Sequence, residues 1–70
     1  MIIIKTDESA HRLKPEFIKR VAAESWVRTR RGYEYERHDI GWVGNVYCSD
    51  IIRREPLTNA EKIICRVEWR

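Results

Sequence analysis

The chain has 70 residues, 43% of them hydrophobic and 36% charged, with a formal net charge of +3. That size allows one domain, residues 1–70, and a composition this apolar excludes a disordered chain. Ten arginines and four lysines interleave with eleven acids, so neither a polybasic tail nor a membrane-binding charge run is present.

Ile2-Ile3-Ile4 is β-branched, is bounded by Lys5-Thr6-Asp7, and reads as a first, central strand. Three apolar residues are too few for a signal-peptide core or a membrane span. Thr6 to Lys14 is polar and reads as a connection. Pro15 suits the first turn of a helix, where its missing N–H costs nothing. Phe17, Ile18, Val21 and Ala22 follow at helical spacing, which predicts a helix over residues 15–25 packed on a sheet.

From Trp26 the period changes to two. With a tight turn at Arg31-Gly32, Arg30 would face Tyr33 and Arg28 would face Tyr35 across a hairpin. One face would then carry Trp26, Arg28, Arg30, Tyr33, Tyr35 and Arg37, with Arg31 at the tip. Val27, Thr29, Glu34, Glu36 and His38 would share the other. A slip of one residue exchanges the two faces.

Asp39 to Ile52 reads as a further strand region in which Gly41 and Gly44 mark a bend or bulge. Trp42 within it fits a core anchor or, at an edge, an interface residue. Arg53-Arg54-Glu55-Pro56 closes the region. In the last segment Ile63, Cys65, Val67 and Trp69 alternate with Ile64, Arg66, Glu68 and Arg70 as in a strand, beside the first one. Thr58 and Glu61 have capping-box spacing, so a helix is the alternative there. The sum is a two-layer α+β domain, with one main helix on an antiparallel or mixed sheet of about four strands in the order strand, helix, strand, strand, strand.

Arginines beside aromatic rings are what a nucleic-acid surface uses, since rings stack on bases and guanidinium groups hold phosphate. The first expectation is therefore a non-enzymatic RNA- or DNA-binding module working through Trp26, Arg28, Arg30, Arg31, Tyr33, Tyr35 and Arg37. Arg53, Arg54, Arg66 and Arg70 form a second basic cluster if the last strand lies nearby. The alternative is a protein-binding regulator or inhibitor of the accessory or mobile-element kind, using a free sheet edge and an aromatic patch. Homodimerisation is compatible with the thin core of so short a chain. The side of the hairpin that the helix covers separates the two readings: burial of Tyr33 and Tyr35 removes the stacking platform.

A third reading is a metal-independent ribonuclease with Glu36 as base and His38 as acid. There the RNA 2′-hydroxyl would be the nucleophile, but charge alternation is common on an exposed strand face and so short a chain implies no pocket, so the expectation is that the domain is not an enzyme. His11, His38, Cys48 and Cys65 lack the paired short spacing of zinc sites, so neither metal nor cofactor is expected. The two cysteines read as small buried hydrophobes of a cytoplasmic protein.

Overall fold

The computed structural model describes residues 1–6 and 13–70. The candidate ligand His11 and most of the expected Thr6–Lys14 connection lie outside the described residues. The elements run β1 (Ile2–Thr6), α1 (Pro15–Glu24), β2 (Trp26–Arg28), β3 (Glu34–Val43), β4 (Val46–Arg54) and β5 (Glu61–Trp69). The five strands form one antiparallel sheet in the spatial order β1-β5-β4-β3-β2, with α1 on one face. No described helix is long and apolar enough to cross a membrane.

The helix starts at Pro15 as its spacing predicts and buries Ile18, Val21 and Ala22. It ends where Ser25 turns left-handed (φ 67°), its N–H donating to the Val21 carbonyl at 2.8 Å. Opposite it lie Val27, Tyr35, Ile51, Ile64, Cys65 and Val67, with Ile51 and Val67 fully buried. Tyr35 meets Phe17 of α1 edge to face at 4.9 Å, and burial raises its phenol above the ordinary value of 10.0.

Three expectations need correction. The sheet has five strands because Gly44-Asn45 is a two-residue hairpin turn between β3 and β4 rather than a bend within one strand. Gly44 takes φ +63° in the first central position, which Gly fills in a type II′ turn. The β-branched run at Ile2–Ile4 lies in an edge strand rather than a central one, paired antiparallel with β5 from Ile2–Trp69 to Thr6–Cys65. Residues 61–69 form the expected strand rather than the alternative helix, but its alternation breaks. The register with β4 shifts at Ile64, so Ile64 joins Cys65 and Val67 under the helix while Ile63 turns to the open face. The Gly41 expectation of a bulge matches: Ile40 has no partner on β4, and the register resumes at Gly41 with Cys48.

The β2–β3 hairpin differs most. Its loop runs Thr29 to Tyr33, closed by the Thr29 N–H to the Tyr33 carbonyl at 2.9 Å. The pairs are therefore Trp26–Glu36, Val27–Tyr35 and Arg28–Glu34, one residue away from the tight-turn register. That single step divides the expected face. Tyr35 and Arg37 go under the helix, while Trp26 and Arg28 go to the open face with Glu34, Glu36 and His38.

Candidate interaction surface at the aromatic end

β3 is ten residues long but β2 covers only its first three. The last bond along that side is the Arg37 N–H to the Ser25 carbonyl, at 3.0 Å. Beyond it, no described strand pairs with the outer side of β3 from His38 to Val43. This half of the β3–β4 hairpin extends to a tip with apolar residues on both sides. Ile40, Trp42 and Val43 are 43%, 72% and 52% exposed, so Trp42 is not the core anchor its size suggested.

Trp42 pairs with Tyr47, Tyr47 with Trp69, and Trp69 with Ile2. Paired residues share a face, so these four form a row across four strands at one end of the sheet. The Trp42 and Tyr47 rings meet at 5.6 Å, nearly perpendicular at 85°. Tyr47 and Trp69 are half-buried.

A polar network holds the row in place. The Trp69 indole Nε1–H donates to Ser49 Oγ at 3.0 Å, and the fully buried Ser49 donates in turn to Asp39 Oδ1 at 2.8 Å. Arg37 Nε lies 3.0 Å from the same oxygen, without hydrogen-bond alignment. Its guanidinium covers the Trp69 ring at 5.7 Å, and its Nη1 donates to the Ala22 carbonyl near the end of α1 at 2.6 Å. A cation is well placed there, because the carboxyl end of a helix is partly negative. Trp69 is thereby tied to β4, β3 and the helix together.

The other arginines named from the sequence are distributed differently. Arg54 holds three carboxylates: Glu36 and Glu61 at 2.8 Å and Glu34 at 3.6 Å. Arg66 reaches Asp50, Arg70 reaches Glu68, and Arg53 reaches Glu55 while covering the half-buried Tyr33 ring at 5.7 Å. The four candidates of the second cluster are thus each engaged with acids, not gathered into a basic patch. Arg28, Arg30 and Arg31 are exposed and, among the described residues, have no acid at ion-pair distance.

Glu34, Glu36 and His38 do share the open face, and His38 Nε2 lies 2.9 Å from Glu36 Oε2. Hydrogen bonds from Arg54 first, and then His38, hold the Glu36 carboxyl below its ordinary 4.5. A general base needs a pKa closer to neutrality, so this shift works against proton abstraction. Its effect is on stability. A carboxylate with a depressed folded pKa stabilises the native state above the unfolded value, and that contribution disappears as pH falls through the folded one. The urea midpoint of Glu36→Gln should accordingly fall less steeply than that of the parent as pH drops below 4.5. Equal slopes would show that the Arg54 contact contributes nothing.

Cys48 pairs with Glu68 and Cys65 with Ile51, which sends the two buried side chains to opposite faces. Among the described residues no three His, Cys, Asp or Glu side chains come together as a metal site.

No protein-family model, curated protein or solved structure matches the chain.

The aromatic row was not legible in the sequence as a unit, because Trp42, Tyr47 and Trp69 meet only through strand pairing. A local signal existed for its first half. Gly44-Asn45 is flanked symmetrically by Val43 and Val46, then by Trp42 and Tyr47, which is how a hairpin with a two-residue turn reads.

Proposed function

We propose that this domain is a non-enzymatic protein-binding module, a regulator or inhibitor, whose docking surface is the aromatic end built by Trp42, Tyr47 and Trp69 with Ile40 and Val43 beside them. The observation that carries this reading is Trp42, 72% exposed on a hairpin tip whose strand edge is open. A large ring in that position contributes little to the fold and much to an interface, where tryptophan is the most enriched anchor.

Charge supports a protein partner over nucleic acid at this end. Arg37 is committed to Asp39 and the Ala22 carbonyl, and Arg70 to Glu68, leaving no unpaired arginine beside the rings. The unpaired Arg28 lies opposite Glu34, about 25 Å from Trp42 at ~3.3 Å per residue along β3. A stacking surface for nucleic acid needs its rings and cations together.

The test is capture of a partner from nuclease-treated cell extract by the parent chain and by Trp42→Ala, with a photo-crosslinker at Val43 to mark the contact. Capture of one stoichiometric protein, crosslinked through position 43 and lost in Trp42→Ala, supports the reading. A second copy of the chain would register as concentration-dependent sedimentation lost in the same variant. Partners captured equally by both proteins, or capture abolished by nuclease, would overturn it.

A further inference from the structure

Nine arginines lie among the described residues, and six of them (Arg20, Arg37, Arg53, Arg54, Arg66 and Arg70) have a carboxylate within ion-pair distance. The remaining three, Arg28, Arg30 and Arg31, are neighbours at the β2–β3 loop. In a chain where acids are interspersed throughout, three adjacent guanidinium groups with no described carboxylate at ion-pair distance mark a surface prepared for an external anion.

The loop that carries them is built and held. Thr29 N–H donates to the Tyr33 carbonyl at 2.9 Å, Gly32 N–H to the Thr29 carbonyl at 3.0 Å, and Tyr33 N–H to Thr29 Oγ1 at 3.2 Å. Gly32 sits at φ +89° so close to the β4–β5 loop that a Cβ there would lie 3.1 Å from the Cβ of Pro56. The guanidinium groups therefore project from an ordered turn, which lowers the entropy lost on binding.

Trp26 supplies the second half of the site. It is 48% exposed, two residues before Arg28 on the edge strand, and both side chains are on the open face. An exposed indole beside unpaired arginines offers a stacking plane next to phosphate contacts. That combination suits an unstacked base on a flexible strand and not a duplex, whose bases are already stacked. We infer that Trp26, Arg28, Arg30 and Arg31 form a binding site for single-stranded nucleic acid, separate from the aromatic end.

The neighbouring acids set its path. Glu34, Glu36 and Glu61 converge on the single cation Arg54, so the open sheet next to Arg28 repels phosphate. The strand must run along the β2 edge and the loop tip. Tyr35 and Arg37, under the helix, take no part.

The experiment is fluorescence titration of the full chain with a fluorescein-labelled oligothymidylate and the matching duplex, across a fourfold range of salt. Three phosphate contacts on a single strand predict a log–log salt slope near −2, roughly a 20-fold loss of affinity over that range. Arg30→Ala/Arg31→Ala should weaken binding at least ~10-fold and reduce the slope to about −0.7. Trp26→Ala should weaken the single strand but leave the weaker duplex binding unchanged, and Lys19→Ala on the exposed side of α1 should change neither. Absence of salt-dependent binding, equal binding by the double arginine variant, or a duplex bound as tightly as the single strand would each overturn the site. Trp42→Ala should bind oligonucleotide like the parent, so this outcome is read independently of the aromatic end.

Discussion

Ile51→Ala is expected to leave most molecules unfolded in mild denaturant, whereas Ile63→Ala should unfold almost like the parent. The two side chains are chemically identical and lie on adjacent strands. Ile51 is fully buried in β4, beneath α1 and between Arg37 and Cys65 of the flanking strands, while Ile63 is 55% exposed on the open face. Truncating a buried isoleucine to alanine costs about 2–5 kcal/mol, through lost transfer energy and the cavity left behind. At roughly 0.05–0.15 kcal/mol per residue, a 70-residue chain has only about 4–10 kcal/mol in total. An exposed truncation stays within about 0.5 kcal/mol. Urea unfolding followed by circular dichroism measures both, and equal midpoints for the two variants would contradict the placement of the core.

Trp42→Ala is expected to separate binding from folding. With most of its surface already in solvent, its loss should lower the free energy of unfolding by no more than about 1 kcal/mol, the edge-to-face contact with Tyr47 included. Affinity for the captured partner should fall at least ~30-fold, the 2 kcal/mol that marks an anchoring residue. Trp69→Ala should behave differently, because it also breaks the bond to Ser49 and removes the ring under Arg37. Ser49 keeps its bond to Asp39, so the lost hydrogen bond itself costs about 0.5–1.5 kcal/mol, on top of the lost burial of the half-buried ring. Trp69 variants should therefore lose stability as well as binding, and calorimetry on the two proteins distinguishes the roles. A Trp42→Ala protein that unfolds as readily as Trp69→Ala would show that the tip is part of the core.

The helix was readable because Pro15 fixes its start and Ile18, Val21 and Ala22 repeat at its period, all local facts. The last strand was readable as a strand from the alternation of Cys65, Val67 and Trp69 with Arg66, Glu68 and Arg70, but the shift at Ile64 that sends Ile63 to the open face left no local mark. The face of the β2–β3 hairpin was not. It depends on whether the loop holds two residues or five, and Thr29 decides this by bonding through its backbone to Tyr33 and Gly32. Neither contact is visible in hydrophobic pattern. The edge position of β1 was hidden because an Ile-Ile-Ile run satisfies an edge strand under a helix as well as a central one. Among the residues singled out in advance, Trp26, Arg28, Arg30 and Arg31 stay together, whereas Tyr35 and Arg37 separate from them. The aromatic row combines residues from three strands, so only the register between β4 and β5 could assemble it.

The bulge at Ile40 bears on how such a molecule persists at high concentration. An open strand edge beside exposed Trp42 and Val43 would ordinarily invite other copies to add strands and grow into fibres. Ile40 is the unmatched residue in the middle of that edge, and Gly41 beside it takes φ +107°, a conformation that regular pairing does not accommodate. An incoming strand would lose its alignment there and could not extend the ladder along the whole edge. The irregularity in β3 thus works against strand-by-strand growth at the edge where the tip displays its rings.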